Sequence, residues 1–159
     1  MRKQLRSLRQ SFACAWTGLR RGILTQRNLR IHLAFSCWAA WLGTRLELTQ
    51  AQLAVLLLTC GVVVIAELLN TAVEALTDHL IPNRSVTAKT AKDAAAGAVL
   101  AGAAFAVCVG VVLLWRPDKL LALGRAILGE PVQLVLLALA AGASLWFIFG
   151  IGSNRRIHD

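Results

Sequence analysis

Apolar residues run along this chain in four stretches, each near the ~20 residues that the hydrocarbon core of a bilayer requires of a helix. They span Ile31 to Leu48, Gln52 to Leu76, Ala91 to Trp115 and Val132 to Ile151. Ahead of them, Leu5, Leu8, Phe12, Ala15, Trp16 and Leu19 recur at helical spacing, with Arg2, Lys3, Arg6, Arg9 and Arg20 on the other side. That pattern predicts an amphipathic helix over residues 2–21, lying on a membrane rather than crossing it. Residues 21–30 form a linker that includes Gly22, and Asp78 to Lys89 form a loop containing Pro82-Asn83. Arg116-Pro117-Asp118 stops the third stretch, and Leu120 to Leu128 has room for a short interfacial helix. The predicted fold class is an all-α integral membrane protein.

Composition agrees. The 159 residues are 57% hydrophobic and 16% charged, which excludes an ordinary soluble domain. A net charge of +9 in a soluble chain would suggest nucleic acid, but eight of the 17 basic residues precede the first span and no nucleic-acid motif is present. The positive-inside rule and attraction to anionic headgroups account for them. The N-terminus is then cytoplasmic, residues 45–51 face out and residues 78–92 face in. The 116–131 segment faces out with three basic residues, in mild conflict with the rule, and Arg155-Arg156 returns to the cytoplasm. The punctuation of residues 1–30 by Arg and Lys argues against a cleaved signal peptide. Cys14, Cys37, Cys60 and Cys108 are widely spaced, without a CxxC pair or a nearby His at ligand spacing, and read as small buried hydrophobes.

One polar stripe interrupts the second span. Glu67, Asn70, Glu74 and Asp78 are three or four residues apart and share one helix face, while Leu68, Leu69, Ala72, Ala75 and Leu76 keep the other apolar. An acidic residue at the centre of a membrane helix costs roughly 2.5–3.5 kcal/mol on insertion scales, so intramembrane carboxylates mark function. The third span opens with Lys92-Asp93 and continues through Ala94-Ala-Ala-Gly97, small residues that let helices approach closely. The two polar runs converge across one loop at the cytoplasmic interface.

Carboxylates in mutual reach suit Mg2+, which takes oxygen ligands and bridges substrate phosphates. A buried carboxylate makes a better base, and a lysine holds phosphate as a point charge. These are the parts of phosphoryl transfer, yet no Walker A run or protein-kinase Gly-rich loop is present. Pattern alone leaves a kinase and a small oligomeric ion or proton conductor both open.

The run Ala66-Glu-Leu-Leu-Asn-Thr-Ala-Val-Glu-Ala-Leu-Thr-Asp78, followed by Ala91-Lys-Asp-Ala-Ala-Ala-Gly-Ala-Val99, resembles the prokaryotic diacylglycerol kinase family, which includes undecaprenol kinases. Trp16-Thr-Gly-Leu-Arg20 and Gln26-Arg-Asn-Leu-Arg-Ile-His-Leu33 match its N-terminal region, so the resemblance covers about residues 8–116. It implies an N-terminal surface helix plus three spans and a homotrimer in the bacterial inner membrane. The implied reaction moves the γ-phosphate of MgATP to a lipid alcohol, diacylglycerol or undecaprenol. Residue by residue, Glu67 matches the general base, Asn70 the polar residue beside it, and Glu74 a metal ligand at the nucleotide. Lys92 and Asp93 match nucleotide-contacting positions, and Arg30 an arginine of the N-terminal region. Gln26 falls where the family has a second metal-ligating glutamate. A neutral amide oxygen there brings less charge to Mg2+. Residues 1–116 would form the lipid kinase membrane domain. Residues 117–159, an interfacial linker plus a fourth span, have no counterpart in three-span members, and their removal is expected to leave activity largely intact.

Overall fold

The computed structural model describes residues 2–80 and 85–151, with side chains from residue 8 onward. The readings of Pro82-Asn83, Arg84 and Arg155-Arg156 fall outside the described residues. Every regular element among the described residues is helical: α1 (Arg2–Thr25), α2 (Arg27–Arg45), α3 (Gln50–Leu80), α4 (Val86–Leu114), α5 (Pro117–Gly129) and α6 (Pro131–Phe149). Three of them, α3, α4 and α6, are long and apolar enough to cross a membrane, which makes this a multi-pass membrane protein. The predicted first span falls short by that measure. Its helix is displaced toward the N-terminus relative to Ile31–Leu48 and thereby takes in Arg27 and Arg30.

Two helices outrun their predicted lengths for a local reason. No proline interrupts residues 50–80, and Gly61 is the only glycine among them, so α3 extends to 31 residues, about 46 Å at the helical rise. That exceeds the ~30 Å hydrocarbon thickness, and its polar end projects beyond. Pro82 disfavours helix in the residue before it, and α3 ends at Leu80. Helix α4 starts five residues earlier than expected, so Lys89 rides on its first turn rather than in a loop, and Lys92 and Asp93 on its second. Helices α5 and α6 each begin with proline at the first position, where the missing N–H is of no consequence.

The α2–α3 turn is tightly specified. Leu48 N–H donates to Gly43 O (3.0 Å) and Glu47 N–H to Thr44 O (3.2 Å), the paired bonds of a Schellman motif. Glu47 occupies its left-handed position with φ 54°. Thr49 then begins α3 with a capping box: Gln52 N–H donates to Thr49 Oγ1 and Thr49 N–H to Gln52 Oε1. Helix α5 clamps this turn. Arg116 reaches Leu46 O and Gln52 Oε1, and Lys119 reaches Leu46 O and the Glu47 carboxylate. Cations at a helix C-terminus are favourable, so two of the three basic residues that strain the positive-inside rule have a structural use here. The bonded, oppositely charged Lys119 holds the Glu47 carboxyl below its ordinary range. This tether is therefore present at neutral pH and is lost only as pH falls through that lowered value.

Helix α4 lies chiefly along α3 and buries no residue of its own, and α6 lies along α2. Buried Gly43 lets α2 approach α3: a Cβ there would stand 3.0 Å from Leu48 Cδ1 and 3.2 Å from Leu56 Cδ2. Gly43→Val is therefore expected to destabilise the helix pair by about 1–3 kcal/mol through overpacking. A thermal melt of the detergent-solubilised variant checks this, and a wild-type Tm would contradict the close approach.

Candidate functional site

The polar stripe is set by helical spacing on the second half of α3. Glu67 (3% exposed) and Asn70 (8%) are buried, whereas Glu74 is half-buried and Asp78 exposed. Asn70 Nδ2 donates to Glu74 Oε1 at 3.1 Å, joining two consecutive turns. Asn70 Oδ1 is buried with no hydrogen-bond partner. An orphaned buried acceptor costs about 1–3 kcal/mol, and such an atom is either strained in place or kept for a donor that arrives with a ligand. No side chain among the described residues hydrogen-bonds the Glu67 carboxylate. His32 on α2 and Glu74 are the ionisable groups that act on it electrostatically.

At the end of the stripe, Lys92 of α4 forms an ion pair with Asp78 of α3. The polar ends of the two helices thus meet as their spacing implied. Asp93 is exposed beside Lys92. Gln26 stands at the α1–α2 corner as the N-cap of α2, in extended conformation, with no side-chain capping bond. Its amide is free of structural duty there. The corner lies against α3: a Cβ on buried Gly22, one turn earlier, would meet Leu68 Cδ2 at 3.0 Å. Leu68 adjoins Glu67 in the chain but belongs to the apolar flank of α3, so this contact packs the corner on that flank at the level of Glu67.

Arg30 is placed otherwise. It is 3% exposed, and its guanidinium donates to Ile148 O (3.1 Å), Ile23 O (2.8 Å) and Leu24 O (3.3 Å). Helix ends, not a nucleotide-facing surface, surround it. His32 is the residue that sequence reasoning passed over. Nothing in its own helix shows that α2 brings it within the electrostatic reach of Glu67.

Two open grooves flank α2. One, of about 310 Å³, is bounded by α2, α3 and α4 and lined by His32, Ser36, Leu56, Cys60, Val63 and Val107 among others. Val63 lies one turn from Glu67 on the same face, so this apolar groove leads to the stripe. The other, about 400 Å³, lies between α2 and α5–α6, with Trp38, Trp41, Arg45 and Gln133 in its wall. Neither wall carries a carboxylate, but this larger groove sits toward the far end of α2 and includes no residue of α3, whereas the first reaches Val63, one turn from Glu67. No trio of His, Cys, Asp or Glu among the described residues could hold a metal alone. The available donors, the Glu74 carboxylate and the Gln26 amide, suit Mg2+ that arrives on phosphate oxygens, since that ion needs only one or two protein carboxylates.

Fold and site together define a multi-pass helical membrane protein with a carboxylate–amide face buried where an apolar groove meets the polar end of a helical hairpin. The sequence profile of prokaryotic diacylglycerol kinase matches residues 13–114. A diacylglycerol kinase of Synechocystis sp. is 44% identical over 108 residues, covering 67% of this chain and 62% of that protein. An undecaprenol kinase of Bacillus subtilis is 34% identical over 112 residues, covering 70% of this chain and 91% of its own length. The chain belongs to the prokaryotic diacylglycerol kinase family. Helices α5 and α6 lie beyond the matched region.

Asn70→Leu removes both the orphaned oxygen and the bond to Glu74. Because the lost bond is worth about 0.5–1.5 kcal/mol and the orphan costs about 1–3, Tm is expected to hold or rise. A clear drop in the melt would mean that Oδ1 already has a partner.

Proposed function

We propose that this chain is an ATP-dependent lipid kinase that transfers the γ-phosphate to the hydroxyl of diacylglycerol or undecaprenol. The observation that carries the proposal is a buried carboxylate, Glu67, one turn from the end of an apolar groove and one turn from the Asn70–Glu74 pair. The printed activities of the two relatives support the same reaction class with either acceptor.

In this reading the lipid enters the groove sideways from the bilayer, its chain along Val63, Leu56 and Val107 and its hydroxyl at Glu67. The hydroxyl oxygen bonds to the γ-phosphorus as the bond from that phosphorus to the β–γ bridging oxygen breaks, and ADP departs. Glu67 accepts the hydroxyl proton. Its burial among apolar neighbours keeps water from competing as acceptor. Mg2+, carried on the phosphates, would supply charge neutralisation, and Glu74 and Gln26 are the residues that would hold it. Lys92, positioned by Asp78, offers a point charge to the phosphates, with Asp93 and Asn70 completing the nucleotide contacts. Helix α4 exposes Leu100, Phe105 and Val112, an apolar face suited to lipid and to further copies in a homotrimer. The proposed setting is the bacterial inner membrane with α1 along its surface, four spans including α2, and the N-terminus cytoplasmic.

Purified protein given radiolabelled ATP, Mg2+ and a panel of diacylglycerol, undecaprenol and ceramide is expected to label one of the first two. A panel with no labelled lipid, alongside intact oligomer, would remove the proposal and leave proton or ion conduction by the same carboxylates to be measured in vesicles. Glu67→Gln is expected to lower turnover by about 10²–10⁴-fold, the range of general-base contributions, while the oligomer survives gel filtration. Near-normal turnover in that variant would remove Glu67 as base. Gln26→Glu is expected to lower the Mg2+ concentration needed for half-maximal turnover; an unchanged requirement would separate Gln26 from the metal.

A further inference from the structure

We infer that α6 is a positioning element for the site and acts through Arg30; the inference rests on the kinase reading above. Three helix ends converge on one guanidinium. Nε binds Ile148 O in the last turn of α6, and Nη1 binds Ile23 O and Leu24 O in the last turn of α1. Arg30 itself belongs to α2. Each carbonyl comes from a helix C-terminus, where free acceptors and negative dipole ends collect. Arginine meets them because its donors are fixed in a planar fork and its charge is permanent. Among the described residues no carboxylate pairs with it, so the three carbonyls are its compensation for burial.

The consequence reaches α3 through one further contact. The α1 turn that Arg30 binds carries Gly22, packed against Leu68 beside Glu67, and leads into Gln26. Helix α6 is aligned on α2 by a second bond eight residues along: Trp38 Nε1 donates to Ser144 Oγ at 3.1 Å. Arg30 and Trp38 lie two turns apart on one face of α2, and Ser144 and Ile148 one turn apart on α6. Ile148 is also the one buried residue of α6 among those described. Helix α6 therefore docks where it closes the Arg30 shell. Without it, Nε loses its acceptor in an apolar environment, and the guanidinium must turn away from the α1 carbonyls or draw in water. Either response loosens the corner that carries Gln26 and packs Gly22 on α3 at the level of Glu67. A positioning role for α6 runs against the expectation from sequence that the tail is dispensable.

The test pairs Arg30→Gln and Arg30→Lys with a chain ending at Gly129, in purified full-length and truncated protein. Truncation is expected to lower kcat/KM for MgATP about tenfold, and Arg30→Gln in the full chain to do the same. Adding Arg30→Gln to the truncation is expected to cost less than a further twofold, because the partner is already gone. Arg30→Lys is expected to recover part of the loss in the full chain only. Undiminished turnover of the truncated protein, or an equal cost of Arg30→Gln in both backgrounds, would overturn the coupling. Hydrogen exchange in the full-length variants reads the same claim without turnover, and serves if the truncated chain does not fold. Arg30→Gln is expected to speed exchange both in the 23–29 corner and at residues 148–150 of α6. Protection at 148–150 that stays at the wild-type level would overturn the inference whether or not the protein phosphorylates lipid.

Discussion

Polar atoms held among apolar helices have little water to turn to, and most of this architecture follows from where they find partners. The α2–α3 turn, with its left-handed Glu47 and helix-terminal Leu46 carbonyl, is closed by Arg116 and Lys119 of α5. The α1–α2 corner is closed by Arg30 and the end of α6. Both ends of α2 are therefore completed by the segment after residue 116. In each case a cation meets carbonyls that helix geometry leaves without an internal acceptor role. Asn70 is the exception: its Oδ1 is buried without a hydrogen-bond donor among the described residues.

That contrast separates scaffold from site. Where the protein needs rigidity, a charged group is saturated by backbone oxygens. Where the family membership and the groove point to chemistry, carboxylates and an amide face one another with spare bonding capacity. Glu67 has His32 and Glu74 as its charged neighbours, and an apolar channel approaches one turn away. Groups left under-bonded in the resting protein are the ones that a charged substrate can engage at small cost in broken contacts.

The region shared with the relatives, residues 13–114, contains the stripe, the α3–α4 hairpin and the α1–α2 corner. Helices α5 and α6 add no residue to the stripe, but they contribute the groups that finish both ends of α2. An extension that docks by hydrogen bonds to helix termini can be added to an existing membrane fold without redesigning its apolar faces, because those bonds replace others that any environment of the helix ends would have to supply.

Much of this protein was legible in its residues alone. Helical periodicity placed Glu67, Asn70, Glu74 and Asp78 on one face, and the apolar runs announced α3, α4 and α6 as long helices, because both properties depend only on local spacing and composition. The Asp78–Lys92 meeting followed from the short connection between two long helices. Helix ends were less legible: α3 and α4 extend past the predicted boundaries because neither the polar residues 77–80 nor 86–90 carry a stop signal. Arg30 and His32 were illegible, since two neighbouring residues on one helix face opposite ways and only the packing of α1, α3 and α6 decides which meets carbonyls and which meets Glu67. Local sequence settles what a helix presents on each side. What each side encounters depends on contacts across 118 residues of chain, and these exist only once the helices have assembled.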